Sequence, residues 1–78
     1  MKVFYTFGSD ERFPFCGGWV EVEAPSMKEA HAIFREYYPD RTPGTLNCSD
    51  YYTEAQFKES DMLSTGNRGV FCHRKLSA

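Results

Sequence analysis

Trp19-Val20-Glu21-Val22-Glu23-Ala24-Pro25-Ser26-Met27-Lys28-Glu29-Ala30 is the stretch whose reading decides the fold, because its apolar period changes partway along. Val20, Val22 and Ala24 share one parity and Trp19, Glu21 and Glu23 the other, the alternation of a half-buried strand. Beyond Pro25 the spacing becomes helical: Met27, Ala30, Phe34 and then Tyr37 or Tyr38 form one stripe, with Lys28, Arg35 and Glu36 largely off it. Ser26 and Glu29 stand in capping-box positions, where the hydroxyl accepts from a free amide of the first turn and the carboxylate reaches back. Pro39 ends the helix, since it has no N–H to continue the ladder and restricts Tyr38 before it.

Upstream, Lys2 to Phe7 is dense in β-branched and aromatic residues and stops at Gly8, a first strand. The first two strands read as an antiparallel hairpin whose connection, 8–18, is too long for a tight turn. Loops of that length tend to be functional or packed on themselves. Downstream, Asp40-Arg41-Thr42-Pro43-Gly44 is a turn by composition. Thr45 to Tyr52 reads as a third strand, with Asp50 an awkward charge on the parity of Leu46, Cys48 and Tyr52. Thr53-Glu54-Ala55-Gln56 is a second capping pattern opening a short helix to about Ser60, anchored by Phe57. After the glycine-containing loop 64–69, Val70 to Leu76 reads as strand four. The order β-β-α-β-α-β predicts a single α+β domain over 1–78: an antiparallel sheet of about four strands with the main and the short helix packed on one face.

Composition narrows the function classes. Nine basic residues against eleven acidic ones give a net charge of −2, and the basic residues are scattered rather than gathered in the stripe typical of nucleic-acid binders. That balance supplies neither such a stripe nor the dense acidic surface of a DNA mimic. No apolar run is long enough for a transmembrane helix, and Met1-Lys2-Val3-Phe4 does not open a secretory signal. Cys16, Cys48 and Cys72 make an odd count, which reads as reduced thiols in a cytosol.

Each candidate chemistry has a plainer alternative. Cys16, Cys48, Cys72 and either His31 or His73 offer enough soft ligands for zinc. No Cys-x-x-Cys or His-x-x-x-His pair nucleates such a site, and Cys72 and His73 are strand neighbours of opposite parity. Cys48 and Cys72 share parity with core residues and read as buried neighbours. None of the three thiols has a partnered base, so none reads as a nucleophile. Asp10 with Glu11, or Asp50 with His73, would need a substrate cleft for acid–base work. The plainer reading makes Asp10 a loop cap and pairs Asp50 with Arg74 across strands. No cofactor is expected.

Two binding readings remain. Ser9, Asp10 and Arg68 lie in glycine-containing turns that fit a small-molecule or nucleotide site, Arg68 being a bidentate donor, although neither turn matches a phosphate-loop fingerprint. Arg12, Phe13, Phe15, Trp19, Glu21 and Glu23 form the alternative, a protein-binding surface rich in hot-spot residue types. Against it stands a core reading, in which Phe13 and Phe15 fold back to seal one end of the core and Trp19 covers the open sheet face.

Tyr5-Thr6-Phe7-Gly8-Ser9-Asp10, Phe13-Pro14, Gly17-Gly18 and Val20-Glu21-Val22 resemble segments of short proteins from bacteriophages and integrative elements of Firmicutes. Tyr38-Pro39-Asp40-Arg41, Pro43-Gly44, Leu46-Asn47-Cys48 and Tyr52-Thr53-Glu54 are similar to the same group. The resemblance covers most of the chain, and its motifs are turns, caps and core positions, so it carries over no functional residue. It implies a setting, a mobile element in a bacterial host, that includes anti-CRISPR proteins. The expectation is a non-enzymatic protein that binds and inhibits a host defence protein such as the Cas9 effector, as a monomer or weak homodimer. Direct nucleic-acid contact and membrane association are not expected. The alternatives are a small-molecule or nucleotide-binding module and a zinc-stabilised accessory domain.

Overall fold

A computed structural model describes residues 1–8, 11–13, 15, 17–60 and 72–77. The strands are β1 (Lys2–Thr6), β2 (Trp19–Glu23), β3 (Asp50–Thr53) and β4 (Cys72–Ser77); the helices are α1 (Met27–Tyr37) and α2 (Glu54–Glu59). The α+β class and the element order agree with the sequence reading. The sheet order is β3-β1-β2-β4. β1 pairs antiparallel with both β2 and β3, whereas β4 runs parallel to β2, with a register slip between Trp19 and Val20. The sheet is therefore mixed, which corrects the expectation of a purely antiparallel one.

Strand parity sends side chains to two faces, and each face has its own core. On one, Val3 and Tyr5 of β1 and Val20 and Val22 of β2 meet Ala30 and Phe34 of α1, with Phe7, Tyr38, Cys48 and Leu76 around them. On the other, Phe4 and Trp19 are covered by Phe57 of α2, with Tyr52 packed alongside. The Phe4 and Phe57 rings stack at 4.3 Å and are almost coplanar in orientation. The two helices thus lie on opposite faces, not on one.

The strand order explains this correction. β2, β3 and β4 all point the same way, so both β2–α1–β3 and β3–α2–β4 are crossovers between parallel strands. The first travels from β2 toward the β3 edge and the second returns past β1 and β2 to the opposite edge. Crossovers of one hand that travel in opposite directions must use opposite faces. Strand order could not be read from local sequence, so the second face stayed hidden.

Both helix starts follow the residues that announce them. The Ser26 hydroxyl accepts from the Glu29 amide at 3.2 Å, and Tyr38 closes the helix by donating its amide to Phe34 at 2.8 Å. At α2 the box is reciprocal: the Gln56 amide donates to the Thr53 hydroxyl and the Thr53 amide to the Gln56 side chain. The third strand is shorter than expected. It starts at Asp50, because Thr45 to Ser49 is taken up by turns. Asp50 is exposed at its first position and Tyr51, not Tyr52, has the parity of the α1 face. Val70 and Phe71, expected to begin strand four, lie outside the described residues.

Candidate functional site

The segment between α1 and β3 shapes the surface at one end of the sheet. Thr42 and Thr45 close a turn over Pro43-Gly44, with the Thr45 amide donating to Thr42 at 3.0 Å and Gly44 at φ +79°. Proline followed by a left-handed glycine is what a type II turn needs. A tighter turn follows, in which the Cys48 amide donates to Leu46 at 2.8 Å. The Ser49 amide then donates to Thr6 at 2.7 Å and ties the segment to β1. These bonds press Leu46, Asn47 and Cys48 onto the core and leave a cleft on each side of them.

The larger cleft, of about 400 Å³, is lined by His31, Arg35, Thr45, Ser49, Asp50 and Tyr51 among others. His31 and Arg35 are one helical turn apart, so both project toward it from the same side of α1. Tyr5 is fully buried in the core behind His31, and its hydroxyl lies 2.8 Å from His31 Nδ1. Burial raises the Tyr5 pKa well above that of a free phenol, with Cys48 and Tyr51 adding to it. The Tyr5 hydroxyl therefore keeps its proton and shares a hydrogen bond with His31 Nδ1. Burial, then the Arg35 charge, lowers the His31 pKa below its ordinary value and favours the neutral form. The Tyr51 ring meets His31 edge-on at 4.7 Å. Arg35 binds both Asp40 oxygens through Nε, at 2.9 and 3.2 Å, joining the end of α1 to the turn after it.

The smaller cleft, of about 240 Å³, has Arg12 and Arg41 on its rim, Phe13 and Leu46 as apolar wall, and Asn47. Both arginines are exposed. Asn47 is only 9% exposed, and its side-chain oxygen is buried with no hydrogen-bond partner. Cys48 touches both clefts, but burial first and Asp50 second push its thiol up to about 12. It stays protonated near neutrality and is a poor nucleophile.

The residues proposed from sequence are distributed unevenly. Phe15 packs edge-on against Phe7 at 5.5 Å and Tyr38 at 5.9 Å, and Phe13 packs against the same core. Trp19 is 5% exposed beneath α2, 5.1 Å from the Phe57 ring. These three rings take the core reading, although Trp19 covers the face by being covered in turn. Glu21 is mostly buried and lies 3.9 Å from Lys2, while Glu23 is exposed. Of that group, Arg12 and Phe13 reach a cleft. Ser9, Asp10, Arg68 and Cys16 lie outside the described residues, as do the side chains of Cys72 and His73.

Asp50 and Arg74 do not pair, because β3 and β4 are the two outer strands of the sheet. Arg74 instead sits over the Tyr37 ring at 5.3 Å and the Tyr38 ring at 5.9 Å. The same separation places Cys48, beside β3, and Cys72, in β4, at opposite edges, so they are not neighbours. Among the described residues, no group of three or more His, Cys, Asp or Glu side chains is placed to hold a metal ion. No helix among them is long and apolar enough to cross a membrane.

Sequence reasoning missed Arg41, Asn47 and the Tyr5–His31 pair. His31 and Arg35 had a legible signal in their spacing of four. Asn47, polar between two core-directed residues, was the other. Compared with protein-family models, curated proteins and solved structures, the chain matches none.

Proposed function

We propose that this protein acts by binding rather than catalysis, as an inhibitor that a mobile element directs at a protein of its host's defence system. In the setting implied by the resemblance, that is an anti-CRISPR protein occupying a Cas effector such as Cas9. The observation that carries the binding reading is the cleft between Arg12 and Arg41, where a buried Asn47 oxygen lacks a donor within the chain. Buried polar groups are almost always paired, so an unpaired one beneath the cleft fits a floor that rearranges to take a donor when a partner binds. The state of the groups nearby favours binding too: the Cys48 thiol is protonated and His31 Nδ1 is engaged by the Tyr5 hydroxyl.

The test is capture from a Firmicutes host lysate on the immobilised protein, paired with phage plaquing on hosts that express it. Recovery of a defence effector and restored plaquing are the expected results. Failure of both would overturn the reading.

A second reading has its own observation. The His31 cleft has the volume of a small-molecule site, for which about 300–1,000 Å³ is usual, and it presents His31 and Arg35 together. A thermal-shift panel of nucleotides and cyclic signalling molecules tests it, since a ligand at a hundred times its Kd adds about 2.7 kcal/mol of stability. Loss of the shift in His31→Ala would locate the ligand there.

A further inference from the structure

We infer that β3 is a sealed edge, on which the side chains of Asp50 and Gln56 occupy the amides that would otherwise pair with β3 of a second copy of this chain. The inference stands apart from what the protein binds. β3 ends the sheet, with β1 on its inner side. An outermost strand offers its unpaired amides and carbonyls to any strand that arrives. Tyr51 and Thr53 are two positions apart, so their amides leave β3 on the same side. Each is given to a side chain of the strand's own segment. The Tyr51 amide donates to Asp50 Oδ1 at 2.8 Å, and the Thr53 amide donates to Gln56 Oε1 at 3.0 Å. That side is therefore the outer one, and both of its amides within β3 are engaged.

The remaining groups identify the partner that is shut out. Thr53 is the N-cap of α2, so its carbonyl is committed to the helix. Tyr51 keeps its carbonyl for the edge, and its ring is an exposed large hydrophobic. Two copies related by a two-fold axis at Tyr51 would exchange amide and carbonyl between the two Tyr51 residues. Each Thr53 amide would then reach the Ser49 carbonyl of the other copy, and the two Tyr51 rings would lie side by side, a favourable cross-strand pair. Such a dimer needs Asp50 and Gln56 to let go in both copies. Gln56 can do so only by giving up half of the capping box of α2, so the helix opposes strand addition along with the edge itself.

The test is sedimentation of the full-length chain over a concentration series, with amide NMR to locate any contact. The parent should stay monomeric, its Tyr51 and Thr53 amide signals unmoved by concentration. Asp50→Ala combined with Gln56→Ala should self-associate at least tenfold more tightly, with concentration-dependent shifts centred on Tyr51. Asp50→Ala alone leaves α2 its whole capping box and should fall between the two, which decides the matter if the double variant does not fold. Asp50→Asn removes the same charge but keeps the acceptor, so it should be as monomeric as the parent. A folded Asp50→Ala chain no more associated than the parent would overturn the inference. Equal association of Asp50→Ala and Asp50→Asn would overturn it too, by assigning the effect to charge. So would shifts centred away from Tyr51, or a parent that already pairs through its Tyr51 amides.

Discussion

Among the described residues Phe57 is the centre of the second face, with its ring stacked on Phe4 and meeting Trp19 edge-on. Phe57→Ala should therefore cost about 3–5 kcal/mol, measured as a shift of the urea midpoint at unchanged slope. Phe15 is only half-buried against Phe7 and Tyr38, so its alanine variant should cost clearly less. Tyr5→Phe keeps the ring against Phe34, at 4.1 Å, and removes only the hydroxyl that is hydrogen-bonded to His31; a loss of about 0.5–1.5 kcal/mol is expected. At this scale the sequence was legible where hydrophobic spacing speaks: Val20, Val22, Ala30 and Phe34 are buried as their periodicity implied. It was ambiguous for Phe13, Phe15 and Trp19, since an aromatic beside charged residues suits a contact surface and a plug equally well. Trp19 was decided by a helix arriving from far along the chain, which no local pattern records.

Among the elements, α1 carries the group that makes stability sensitive to acid. The His31 pKa is lowered in the fold, so the unfolded chain binds the extra proton first, near pH 6.5. Its contribution is present above that pH and is lost as the pH falls through and below it. Urea midpoints between pH 7.5 and 5 should fall more steeply for the parent than for His31→Gln. On the alkaline side the signs reverse, because Cys48 and Tyr5 have raised values: their contributions are complete in the neutral range and fade as the pH rises beyond about 8.5 and 10, respectively. The short helix α2 depends on its cap instead. Thr53→Ala removes the acceptor of the Gln56 amide and should cost about 0.5–2 kcal/mol, read from the same denaturation curves. Both caps were visible in sequence, since a hydroxyl followed three residues later by Glu or Gln is a local signal. The start of the third strand was not, because the turns ahead of it are set by bonds within the segment and to Thr6.

For the whole molecule, β1 and β2 are the inner strands and β3 and β4 the edges. Hydrogen exchange should follow that order, with the slowest amides in β1 and β2 and faster exchange in the four-residue β3. The class and the element order were readable from the change of apolar period. The mixed pairing was not, because nothing within β4 states which strand it joins or in which direction. The parallel seam between β2 and β4 also sets a timetable. By the end of β3, at Thr53, the chain has every strand of the β3-β1-β2 unit and all of α1. This first core is thus complete in sequence before the final strand. The seam then joins residues more than fifty positions apart, Trp19 with Cys72 at one end and Glu23 with Ser77 at the other, and such distant pairings form slowly. Until it forms, the outer edge of β2 is an open template, so the last strand to be made is the one that shields the nascent protein from pairing with its neighbours.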